Sequence, residues 1–168
     1  MKNIIFIGMP ASGKSTVGVV VAKRLGFDFV DTDLLIQKQE GKLLKDIIAE
    51  KGNAAFLQIE NQVNRDLQVN ASVIAPGGSV VYCEEAMRHY QEIGTVIYLK
   101  TSYEHIAKRI ENAKNRGVIL QEGQTLRDVY DERVKLFEKY AEYTVSEEGL
   151  SLEETIEEVL NLIEKIGG

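Results

Sequence analysis

The sequence predicts an α/β fold, a three-layer α/β/α sandwich on a five-stranded parallel sheet, formed as one domain over residues 1–168. Three observations predict it. Short apolar runs alternate with longer amphipathic stretches, the pattern of strands buried on both faces and joined by crossover helices. "GMPASGKST" (8–16) follows the apolar "NIIFI" directly, so a glycine-rich loop sits between a strand and a helix. The 168 residues, 44% hydrophobic and 27% charged, suit one domain with a real core.

The elements follow in order. Residues 3–7 read as a buried strand, 14–26 as a helix closed by Gly26, and "FDFVD" (27–31) as a second strand. "LLIQKQE", "LLKDIIAEKG" and residues 54–68 are helical by period. "ASVIAPGG" (71–78) is a strand running into a glycine turn. "EEAMRHYQEIG" is a helix and "TVIYLK" (95–100) a strand. "YEHIAKRIENAKNRG" and residues 125–142 are helices, "YTVS" is the last strand, and "SLEETIEEVLNLIEKIG" closes the chain. Ser151 with Glu154 three residues on is a capping box for that last helix.

The phosphate loop carries the most specific chemistry. Gly8 permits the turn out of the strand, and Gly13 lets backbone amides approach an anion. The following helix aims its free N–H groups and its dipole at the same place. Lys14 supplies a cation to the β- and γ-phosphates, and Ser15 offers a hydroxyl to Mg²⁺. The nucleotide site therefore comprises Gly8, Ala11, Ser12, Gly13, Lys14, Ser15 and Thr16. No Asn-Lys-x-Asp tetrapeptide for guanine is present, and "SVIAPGG" lacks the acid of a large ATPase. The carboxylates come instead from "FVDTDLL": Asp31 and Asp33 point the same way if the extended geometry persists, one suited to the metal and one to a hydroxyl proton. Asp33 also reads as a helix cap. The phosphate loop, "DTD" and "PGG" each follow a strand, so all three meet at the carboxyl edge of the sheet.

In this order the motifs resemble the shikimate kinases, small kinases of the nucleoside-monophosphate-kinase-like group, over nearly the whole chain. The residues that carry the resemblance are "GMPASGKST", "DTD", "GNAAFLQIE", "APGGSVV", the arginine of "NRGVI" and "ERVKLFEKYAE". It implies transfer of the ATP γ-phosphoryl group to shikimate, with ATP and Mg²⁺ required. Lys14, Asp33 and Arg116 become catalytic, and Ser15 and Asp31 hold the metal. Asp33, Gly77, Gly78 and Arg133 bind the acceptor, Arg133 through its carboxylate. Arg109 packs on adenine, and Arg116 closes over the phosphates from a mobile lid near 111–124. The family's Phe-Arg-x-x-Glu reads Phe56-Leu57-Gln58-Ile59-Glu60 here, so Leu57 replaces an arginine for the acceptor carboxylate. Losing such a charge-assisted bond costs about 1.5–3 kcal/mol, roughly ten- to a hundredfold in affinity. Lys135 and Arg127 are candidates to compensate. The alternatives are a kinase for another small hydroxylated metabolite, or a nucleotide-binding module with little catalysis.

The remaining expectations are mostly exclusions. A formal charge of −6 and a pI near 5.1 argue against nucleic-acid or anionic-membrane partners. Apolar runs fall short of the roughly 18 residues of a membrane span. With one cysteine, Cys83, a reducing cytoplasm is expected, and Cys83 reads as a structural thiol. A monomer is expected. His89 and His105 fit no metal spacing and read as surface residues.

Overall fold

The computed structural model describes residues 2–112 and 123–167. Five parallel strands form one sheet in the order β2-β3-β1-β4-β5: β1 Asn3–Ile7, β2 Asp28–Asp31, β3 Ser72–Ala75, β4 Gly94–Lys100 and β5 Tyr143–Ser146. The helices are α1 Lys14–Leu25, α2 Thr32–Glu40, α3 Leu44–Lys51, α4 Asn53–Arg65, α5 Glu84–Ile93, α6 Tyr103–Asn112, α7 Leu126–Tyr140 and α8 Leu152–Gly167.

The period-2 geometry of the strands sorts the core into two layers. Ile5 and Ile7 of β1, Ile74 of β3, and Val96 and Tyr98 of β4 face one layer, with Met87, Tyr90, Val129 and Phe137. Ile4 and Phe6, Val73, and Ile97 and Leu99 face the other, with Val17, Val21, Ile156 and Val159. Helices α5 and α7 thus cover one face of the sheet, and α1 and α8 the other. A third, smaller cluster of Ile36, Ile47 and Phe56 ties α2, α3 and α4 together beside the sheet.

Several expected boundaries shift. The strand expected within 71–78 spans Ser72–Ala75, and the glycine turn after it continues into a 3-10 turn over Gly78–Tyr82. The helix over 54–68 spans Asn53–Arg65, and β4 begins at Gly94. The Ser151–Glu154 capping box forms, with both bonds at 3.1 Å. The expected lid falls largely on 113–122, so it and Arg116 lie outside the described residues. Among the described residues, no helix is long and apolar enough to cross a membrane.

One close approach governs the central register. Asn3 pairs with Gly94 between β1 and β4, and a Cβ on Gly94 would stand 2.2 Å from the Asn3 carbonyl oxygen. The buried Asn3 side chain cannot yield: it donates to the Val69 and Ile93 carbonyls and accepts from Ser72 N–H. Gly94→Ala is expected to cost about 3 kcal/mol or more, read as a lower denaturant midpoint. An unchanged midpoint would refute this reading of the register.

Candidate active site

The phosphate loop leaves β1, the central strand, and ends at the first residue of α1. Its backbone turns through left-handed conformations at Ala11 (φ 66°) and Gly13 (φ 89°). A non-glycine residue at positive φ is strained, and such strain is held where successive N–H groups must converge on an anion. Lys14 is 7% exposed. Its ammonium donates to the carbonyls of Gly8 at 2.9 Å and Met9 at 2.8 Å, and to Ser12 Oγ at 3.5 Å. The cation therefore spans the loop and stands ready above it. Arg109 of α6 donates to the Ala11 carbonyl at 2.7 Å and braces the loop from the opposite side.

Two clefts flank the loop. The first, about 440 Å³, lies between the loop, the ends of β2 and β3, and helices α2, α3, α4 and α7. Ser15, Thr16, Asp31, Asp33, Gly77, Gly78 and Arg133 line it together. The second, about 590 Å³, is lined by Ala11, Gly13, Thr16, Arg109, Thr101, His105 and the 147–150 loop after β5. One cleft is thus lined by all of the expected acceptor and metal residues. The other holds the expected adenine residue, Arg109.

Asp31 and Asp33 reach the first cleft by a route other than persistence of the strand. The strand stops at Asp31, which is itself the cap of α2: its Oδ1 accepts from the N–H groups of Asp33 (3.0 Å) and Leu34 (3.4 Å). The cap is therefore Asp31, not Asp33. Asp33 sits in the first helical turn, with Oδ1 buried and without a hydrogen-bond partner. Burial, then the nearby Asp31 carboxylate, raise its pKa from 3.8 to about 6, while Lys14 opposes the shift.

The glycine turn approaches from β3. A Cβ on Gly77 would stand 2.8 Å from Asp33 Oδ1 and 3.1 Å from Glu60 Oε2, and one on Gly78 would stand 2.5 Å from Pro10 Cδ. Only glycines let this turn press against both the carboxylates and the phosphate loop. Glu60 of α4, unremarked as a site residue in the sequence, is fully buried here. Its Oε1 accepts from Ser79 Oγ at 2.6 Å and its Oε2 has no partner. Burial raises its pKa to about 7; the Ser79 bond opposes the shift, Asp33 adds to it and Arg133 opposes it.

Arg133 is 1% exposed, and its side chain is not spent on Asp131 or Glu138. Its guanidinium lies 5.3 Å from the centre of the Tyr82 ring, and its Nε is buried without a partner. Buried polar atoms are nearly always hydrogen-bonded. Asp33 Oδ1, Glu60 Oε2 and Arg133 Nε are three exceptions around one cleft, the pattern of a site whose missing partner is a polar ligand.

Other expectations are redistributed. Leu57 does not line the cleft; its side chain packs against the larger apolar cluster and its carbonyl faces Cys83 Sγ at 3.6 Å. Lys135 and Arg127 do not line it either, and Arg127 pairs with Asp131. Cys83 is buried, and burial pushes its thiol up to about 12, consistent with an inert structural residue. His105 is exposed, as expected, yet borders the second cleft. There Thr101 donates to Glu147, a pair the sequence reading passed over. Their position directly after β4 and β5 was the available signal.

A phosphate loop leaving the central strand of a parallel sheet, with a cleft on either side, is the architecture of the phosphate-loop nucleotide-binding class. The shikimate kinase family model matches residues 10–164. Shikimate kinase from Persephonella marina is 37% identical over 164 residues, covering 97% of this chain and 99% of that one. The structure of shikimate kinase from Acinetobacter baumannii in complex with shikimate superposes with a TM-score of 0.90 at 30% identity, covering 98% of this chain and 94% of that one. That of shikimate kinase from Aquifex aeolicus gives 0.78 at 32% identity, covering 99% of both. The chain belongs to the shikimate kinase family.

Proposed function

We propose that this protein transfers the γ-phosphoryl group of ATP to a ring hydroxyl of shikimate. The observation that carries the reading is Asp33 Oδ1, a buried carboxylate oxygen without a partner, in the cleft that begins at the phosphate loop. A general base must reach the hydroxyl whose proton it takes. Asp33 occupies the boundary between the anion cradle and the acceptor cleft, where such a hydroxyl would lie.

The remaining roles follow from placement. The loop amides from Gly8 to Thr16, with Ala11, Ser12 and Gly13 between, cradle the phosphates, and Lys14 follows the charge of the transferring group. Arg109 borders the base in the second cleft. Arg133 and the Gly77-Gly78 turn fix the acceptor, Arg133 by a charge-assisted bond to its carboxylate. Arg116, from the lid, adds a second cation over the phosphates. Ser15 and Asp31 line the same cleft and offer hard oxygen donors. They suit Mg²⁺, which keeps several waters and binds through one or two protein oxygens plus phosphates. Mg²⁺, when bound, neutralises phosphate charge.

The test is ADP release from Mg-ATP with and without shikimate. Strong dependence on shikimate is expected, and ADP release indifferent to it would defeat the reading. The same assay gives a pH prediction. Asp33 works as its carboxylate and its pKa lies near 6. The acid limb of kcat/KM for shikimate should therefore fall about tenfold per pH unit below about pH 6. A limb near pH 4 would mean that Asp33 is not the base.

A further inference from the structure

We propose that Lys45 is a second binding group for the acceptor carboxylate, acting together with Arg133. The inference rests on the shikimate kinase reading above and concerns the same cleft.

Among the described residues that line the first cleft, the cations are Lys14, Lys45 and Arg133. Lys14 is committed to the phosphate loop. Arg133 faces Glu60, a carboxyl whose charge it favours, so part of its field is already met. Asp31, Asp33 and Glu60 add negative charge to the walls. A carboxylate entering there meets one partly compensated guanidinium and three acids. Lys45 is the remaining cation that lines the cleft.

Lys45 is exposed, and its pairing sets it apart from the neighbouring lysines. Lys42 just before α3 and Lys51 at its last position are both paired, Lys42 with Glu50 and Lys51 with Glu40 at 2.8 Å. Among the described residues Lys45 makes no ion pair, although Glu50 and Asp46 share its helix. Helix α3 is anchored by Ile47, buried against Ile36 and Phe56, so the backbone that carries Lys45 is fixed. Leu43, Leu44 and Ile48 line the same cleft, and Leu43 is 53% exposed. An apolar shelf and a lysine without an ion pair, in a cleft also lined by a buried guanidinium, suit a carbocycle bearing a carboxylate. Leu57 supplies no cation and does not line the cleft; its half-buried side chain packs against the larger apolar cluster.

The experiment measures KM for shikimate and for ATP, and kcat, in Lys45→Ala, Lys45→Glu and Lys45→Arg. Removing one charge-assisted contact should raise KM for shikimate about tenfold in Lys45→Ala, and reversing the charge should raise it further. Lys45→Arg should keep it within about threefold, while kcat and KM for ATP stay within about twofold throughout. A KM for shikimate unchanged in Lys45→Ala and Lys45→Glu overturns the inference, as does a parallel rise for ATP or an equal rise in all three variants. No shikimate turnover by the unaltered chain would instead overturn the assignment of the acceptor, and this inference with it.

Discussion

Lys14→Ala is expected to lower kcat/KM for ADP release by about 10³-fold or more while leaving the fold intact. The side chain is buried against the loop and reaches two carbonyls and a hydroxyl, so it is preorganised where phosphate charge develops. One such donor in a protected site is worth about 10²–10³ in rate, and a charged donor exceeds a neutral one. The two main apolar clusters do not include Lys14, so the sheet and its helices have no reason to unfold. Far-UV circular dichroism and the denaturant midpoint check the fold in the same sample. Lys14→Met, which keeps the stem and drops the charge, should be equally inactive. Turnover within tenfold of the parent in either variant would show that the phosphate loop works without its cation.

Asp33→Asn is expected to move activity and stability in opposite directions. Loss of a general base costs about 10²–10⁴ in kcat. Stability should rise, and the sign follows from linkage. Asp33 titrates at 3.8 unfolded and near 6 folded, so the folded state binds its proton more tightly. Its contribution is fully favourable below pH 3.8 and is lost as pH rises through 6. Above that the ionised carboxylate costs the fold up to about 3 kcal/mol. Asparagine keeps the shape without the charge. At pH 8 the variant should gain about 1–3 kcal/mol, a rise of roughly 2–10 °C in Tm. Near pH 4 the gain should shrink towards zero. A destabilised variant at pH 8, or a gain that does not depend on pH, would contradict the burial and charge repulsion seen at this carboxylate.

The sequence made the fold legible where local pattern and tertiary demand agree. Residues 4–7 are apolar throughout because β1 is covered on both faces, and the glycine-lysine-serine run behind them has few other uses. Asp31 and Asp33 were legible as a pair, but for a different reason from the geometry that unites them. The strand breaks at Asp31, whose side chain caps α2, and the helix then turns Asp33 inward. Glu60 and Arg133 were harder to weigh. Each sits in a helix rich in polar residues, where a charged side chain reads as solvated. That both are buried follows only from how α4 and α7 close on the glycine turn. Lys45 was invisible for the same reason. Nothing in "LLKDII" distinguishes a cleft lysine from a surface one until α3 is docked through Ile47. Leu57 marked the place of a missing cation, and in the structure its half-buried side chain packs against the larger apolar cluster instead.

The most direct measurement follows the phosphorus atom. ATP labelled in its γ-phosphate is incubated with Mg²⁺, shikimate and the protein, and the products are separated. Label in a phosphomonoester of shikimate, matched by ADP and absent with Lys14→Ala, is the predicted result. Label appearing as inorganic phosphate, or leaving ATP at the same rate without shikimate, would contradict it.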